Sequence, residues 1–171
     1  MCYFIGLNIH DNRTMEKPIK NLFNKWEIEY ETSKEGIIDS YFFTSWIESG
    51  VANGLIAINK EEQQVMLHAT QSTFVPENRR KEVSELLVRI NYDDYLGGFI
   101  MDFEDGHVGY QCGYMWMQSD VNYLNVIEKY FIESLSRLNY YFPAILKVSY
   151  GEKGAGQVLA ELIHQVDPTL N

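Results

Sequence analysis

The chain has 171 residues, with 24 acidic against 14 basic side chains for a net charge of −10, and 46% of it is hydrophobic and 14% aromatic. That apolar and aromatic content excludes intrinsic disorder and suffices for one domain, residues 1–171, to bury a core without a disulfide or metal staple. The negative balance disfavours nucleic-acid phosphates and anionic membrane surfaces as partners, and no stretch approaches the apolar run of about 18 residues that a membrane span needs.

The opening Met1-Cys-Tyr-Phe-Ile-Gly-Leu7 has neither a basic n-region nor a small-residue cleavage site, so it does not read as a signal peptide. Tyr3, Phe4, Ile5 and Leu7 suit a short strand against the body. Cys2 and Cys112 are the two cysteines, without C-x-x-C spacing, which fits a soluble protein of a reducing cytoplasm. Between Met15 and Lys25, Ile19, Leu22 and Phe23 recur at helical spacing with Pro18 in the first turn. At Trp26 the period becomes two. Trp26, Ile28 and Tyr30 alternate with Glu27, Glu29 and Glu31, the pattern of a strand with one buried and one acidic face. Residues 33–36 then turn the chain, 37–47 read as a strand of high β propensity, and 50–54 turn it again. A hairpin of 55–59 and 64–73 follows about a polar tip. Its consecutive apolar residues, Leu55 to Ile58 and Val65 to Leu67, predict strands covered on both faces.

Pro76 opens a helix whose Val83, Leu86, Leu87 and Ile90 fall on one face. The opposite face carries Arg79, Arg80, Lys81, Glu82, Glu85 and Arg89, with Lys81 and Glu85, and Glu85 and Arg89, one turn apart. Arg79, Arg80 and Lys81 form the basic cluster of the chain, readable as an anion site or as a solvated face of interleaved signs. Asp105-Gly106 predicts a two-residue type I′ turn. Pairing across it sets Glu104 opposite His107, Phe103 opposite Val108, Met101 opposite Tyr110 and Phe99 opposite Cys112. All but the first pair then share one apolar face. Tyr114 and Trp116 continue that face. Met115 and Met117 lie on the other with Gly109 and Gly113, either under a helix of the same chain or as an adaptable contact surface. Ile100, Met115, Trp116 and Met117 are the candidate protein-binding residues. A long helix from about residue 121, capped by Ser119 or Asp120, carries the stripe Leu124, Ile127, Phe131, Leu135 and Leu138, broadened by Tyr123, Val126 and Tyr130. Pro143 should end or kink it near Phe142. After a glycine-rich loop at 151–156, Val158, Leu159, Leu162 and Ile163 make a short closing helix.

No catalytic, cofactor or metal residues emerge. His10, His68, His107 and His164 fall in four different elements without ligand spacing, and His107 opposite Glu104 suits a cross-strand surface pair. Asp102 to Gly106 lacks the spacing of a calcium loop. Gly151-Glu-Lys-Gly-Ala-Gly156 is not followed by the Lys-Ser or Lys-Thr of a phosphate-binding loop.

The order of Val75-Pro-Glu-Asn-Arg79, a helix ending Ile90-Asn-Tyr92, then Gly98-Phe-Ile-Met-Asp-Phe-Glu-Asp-Gly106, and later Leu138 with Tyr141-Phe-Pro-Ala144 resembles the YbjN-type family of bacterial sensory transduction regulators. The resemblance covers residues 15–165. It implies an α+β fold like that of type III secretion chaperones, an antiparallel sheet with helices in the order α-β-β-β-α-β-β-α plus a short C-terminal helix, with room for an extra strand at 26–31. It further implies a non-enzymatic protein acting through protein contacts, commonly as a homodimer. The first seven residues and the aromatic pair Tyr114 and Trp116 depart from the family pattern. A different class, an acidic cognate inhibitor or immunity protein, would use Glu27, Glu29 and Glu31 against a basic partner. An enzyme would require a pocket lined by convergent polar groups.

Overall fold

The computed structural model describes residues 16–115 and 123–166. These form α1 (Glu16–Lys25), β1 (Glu29–Glu35), β2 (Ile38–Ile47), β3 (Gly50–Asn59), β4 (Gln64–Phe74), α2 (Arg80–Asn91, entered through a 3-10 turn at Glu77–Arg79), β5 (Gly97–Met101), β6 (His107–Met115), α3 (Tyr123–Ser149) and α4 (Ala155–Val166). The strands make a six-stranded antiparallel sheet in the order β1-β2-β3-β4-β6-β5. The fold is therefore α+β, with the expected order of elements and one strand more before α2. That strand is the acidic alternating segment, displaced toward its C-terminal end.

Period-two alternation decides which side of the sheet is core. Tyr41 and Phe43 of β2, Ile56 and Ile58 of β3, Val65 and Leu67 of β4, Phe99 of β5, and Val108, Tyr110 and Cys112 of β6 are buried. They meet Ile19, Leu22 and Phe23 of α1, the predicted Val83, Leu86, Leu87 and Ile90 of α2, Ile127, Phe131 and Leu138 of α3, and Val158 of α4. Burial of each large aliphatic or aromatic side chain contributes about 1.5 to 3 kcal/mol before entropy is counted. At the centre Phe23, Phe43 and Phe131 stack within 6.0 Å of one another.

Several local readings are corrected. Ser33 and Lys34 belong to β1, and the turn is the tight link at Gly36, whose φ of +60° joins Glu35 to Ile38. Residues 48 and 49, rather than 50–54, reverse the chain next. Gly54 lies inside β3 for packing, because a Cβ there would stand 2.1 Å from Cζ of Phe43. The β5–β6 register is Met101 opposite Val108 and Phe99 opposite Tyr110, offset by two from the expected pairing. An offset of two keeps each side chain on its face, so the apolar surface survives except for Phe103, which is exposed. A wider loop over 102–106 causes the offset. Asp102 Oδ1 accepts from the Glu104 N–H at 2.7 Å, and the Gly106 N–H, at φ +85°, donates to the Asp102 carbonyl at 2.8 Å.

Pro143 does not end the helix. It sits inside α3, exposed, while Phe142, Ala144, Ile145 and Val148 around it are buried, so packing outweighs the lost backbone bond. The basic cluster is neither an anion site nor wholly a solvated face. Arg79 donates through Nε and Nη2 to the Val148 carbonyl of α3 and pairs with Glu82. Arg80 donates to the carbonyls of Val75, Phe103 and Glu104. Both guanidinium groups tie the start of α2 to its neighbours. The residues proposed as an N-terminal strand and the caps Ser119 and Asp120 lie outside the described residues.

Candidate protein-binding face

All four described helices cover one side of the sheet, and among the described residues nothing covers the other. Strand register places Glu29, Glu31 and Glu35 of β1, Ile38 and Phe42 of β2, Leu55 and Ala57 of β3, Met66 and His68 of β4, Gln111 and Met115 of β6, and Ile100 of β5 on this open side. The expectation that β3 and β4 are covered on both faces is thus corrected. Leu55, Ala57 and Met66 are half-buried by neighbours on the same sheet surface, not by a second layer.

Of the four candidate residues, two can be placed. Met115 is 67% exposed and Ile100 44% exposed, both on the open side. The alternative in which Met115 packs under a helix does not hold. Met115 stands opposite Gln64 and Ile100 opposite Gly109, so they lie at opposite ends of β6, about 20 Å apart at the usual strand rise. Trp116 and Met117 lie outside the described residues. What joins the two ends is a band that sequence reading missed: Phe42, which is 48% exposed, then Leu55 and His68 in one cross-strand row, with Ala57 and Met66 beside it. The signal was present in β2, where Ile38 and Phe42 alternate with Tyr41 and Phe43, apolar on both faces.

The band has a polar centre. The single proton of the Thr70 hydroxyl goes to a carbonyl, Val108 at 2.7 Å or Gln71 at 3.1 Å, so His107 Nε2, 2.7 Å from the same oxygen, is the donor to it. His107 therefore turns to Thr70 and to the ring of Phe74, 5.6 Å away, and not to Glu104 as expected. The His68 ring lies 6.0 Å from that of His107. It packs over Gly109, where a Cβ would stand 2.3 Å from His68 Cε1. Burial, and then the neighbouring His107, hold the His68 pKa below the ordinary histidine value. Half-buried neutral imidazole is compatible with an apolar contact surface.

At one margin of this side, Glu29, Glu31 and Glu35 are exposed on β1, whose outer edge pairs with no strand among the described residues. Among the described residues no three His, Cys, Asp or Glu side chains converge as metal ligands, and no helix is long and apolar enough to cross a membrane. No protein-family model matches the chain, and no curated protein matches it in sequence.

Proposed function

We propose that the protein is a non-enzymatic, chaperone-like or regulatory binder, of the sensory transduction regulator type it resembles, which holds a protein partner or a second copy of itself on the open side of the sheet in the cytoplasm. The observation that supports this reading is the uncovered face, with Phe42, Ile100 and Met115 exposed and Leu55 and Met66 between them. Exposed apolar side chains of this number on one surface fit a contact site, and methionines adapt to partners of differing shape. Phe42→Glu with Met115→Glu is the test. Both side chains stand largely in water, so the fold should persist by circular dichroism and urea unfolding while self-association and partner retention are lost. Retention of the same partner or oligomer by the folded double variant would overturn the reading.

A second reading, the acidic inhibitor of a basic partner, draws on Glu29, Glu31 and Glu35 along the unpaired β1 edge. It predicts binding that weakens steeply with salt and is lost in Glu29→Gln with Glu31→Gln, whereas contact through the apolar band is nearly salt-independent.

A further inference from the structure

The helical side of the molecule carries a separate apolar groove of about 400 Å³ between α3 and the ends of β1 and β2. Its walls are Trp26, Ile28 and Ile47 on one side and Phe131, Ile132 and Leu135 on the other, and Trp46 borders it from the sheet edge with its side chain on the open face. Trp46 is 82% exposed, Trp26 49% and Ile132 39%. A smaller groove of about 230 Å³ between α3 and α4 shares Glu48 and Asn139 with it, so the two run end to end along α3.

The course of α4 points at the larger groove. The helices are joined by a tight link in which Gly151, at φ +73°, donates to the Val148 carbonyl and Glu152 to the Lys147 carbonyl. Returning along α3, α4 sets Glu161 3.6 Å from Lys147 and brings the Leu162 carbonyl 3.5 Å from the Tyr140 hydroxyl. The two helices are thus antiparallel, and equal rise per residue carries Val166, the end of α4, level with about residues 136 to 142 of α3. Asp167-Pro-Thr-Leu-Asn171 follows. A residue before proline favours extended backbone, and four extended residues span about 13 Å, the length of about nine helical residues. Leu170 therefore comes within reach of Phe131, Ile132 and Leu135, and it is the one large apolar side chain of those five.

We propose that the groove is filled by the chain's own residues 167–171, with Leu170 seated between Trp26 and Ile132. This site lies across the sheet from the proposed partner face and does not depend on it.

Trp26, one of three tryptophans with Trp46 and Trp116, supplies the readout through its indole N–H resonance in the full chain, assigned by single Trp→Phe variants. Leu170→Asp should shift the Trp26 resonance, and Leu170→Ile should leave it in place. Ile132→Glu should produce the same shifts, and adding Leu170→Asp to it should produce no more. A Trp26 resonance unmoved by Leu170→Asp, or shifts that add in the double variant, would overturn the proposal and leave the groove open to a segment of another protein. The remainder of the amide spectrum reports whether each variant is folded. Should Leu170→Asp unfold the chain, Leu170→Ala makes the same comparison.

Discussion

The side-chain amide of Asn91 brackets the peptide of Phe99: Oδ1 accepts the Phe99 N–H at 2.7 Å, and Nδ2 donates to the Phe99 carbonyl at 2.9 Å. The last residue of α2 thus occupies the outer edge of β5 where another strand would otherwise pair. Close approach requires Gly98, whose Cβ would stand 3.1 Å from the Asn91 amide. Asn91→Ala should cost about 1 to 3 kcal/mol, since two backbone groups lose their partners. Urea unfolding measures the loss. Faster hydrogen exchange at the Phe99 amide, with slow exchange kept in β3, would place it at this edge.

Much of this fold was legible because period and turn chemistry agreed. The four buried residues of α2 and the three of α1 were read correctly from spacing alone, since each helix buries one apolar stripe. The misreadings have a common physical source. Gly54 and Pro143 are strong local punctuation, yet Gly54 serves the ring of Phe43 and Pro143 is carried by the buried residues around it. Local propensity could not reveal either. The open side was half legible: Ile100 and Met115 stood among the candidate contact residues and are exposed, but Phe42, Leu55 and His68 did not, because an apolar residue on an uncovered sheet looks in sequence like a core residue. The inward turn of Arg79 and Arg80 depends on where Val148 and Phe103 arrive from elsewhere in the chain, and no spacing rule carries that.

Pro143 leaves the Asn139 carbonyl of α3 without its i+4 donor, a defect of about 3 kcal/mol in an ordinary helix interior. Its ring is exposed and fills no part of the core. Pro143→Ala should therefore stabilise the protein, by about 1 to 2 kcal/mol once the greater freedom of the unfolded chain is subtracted. A rise in thermal midpoint and in urea midpoint at unchanged m-value checks it. A fall would show that the proline shapes α3 in a way its neighbours require.

Asp94 latches the loop between α2 and β5. Its side chain is 3% exposed, Oδ1 accepts from the N–H groups of Leu96 and Gly97, and Oδ2 accepts from the Tyr110 hydroxyl at 3.0 Å. Arg137 Nε stands 3.4 Å from the same oxygen, an ion-pair distance without hydrogen-bond alignment. Burial, and then the Asp94 charge, push the Tyr110 pKa well above the ordinary tyrosine value. Asp94→Ala leaves the Tyr110 hydroxyl and two backbone donors unpaired and should cost about 3 kcal/mol, the lower end for breaking a buried pair, because Arg137 is 34% exposed and water can replace its partner. Arg137→Gln should cost less than about 1 kcal/mol. Equal losses in the two variants would mean that the ion pair, not the hydrogen bonds, holds the loop.

His68 gives stability a dependence on pH near neutrality. Its folded pKa is depressed, by burial first and by His107 second. Around the ring stand Leu55 from β3, Thr70 from β4 and His107, Gly109 and Gln111 from β6, and the carboxylates of its own and the adjoining row, Glu31 and Glu29, lie three strands away on β1. As pH falls through about 6.5, the unfolded chain takes up a proton that the folded one refuses, so stability is full above that value and declines until folded His68 also titrates. Glu16, Glu128 and Glu161 have lowered pKa values, each from a lysine partner first. Their contributions persist above about pH 4.5 and are lost only below it. Loss of stability between about pH 7.5 and 5.5 is thus what the depressed His68 contributes. Urea unfolding at those two values should show the wild type less stable at the lower one, and His68→Gln with most of that difference removed. Covering the open face with a partner would bury His68 further and steepen the effect. A His68→Gln protein that still loses the same stability over this interval would assign the proton uptake to another group.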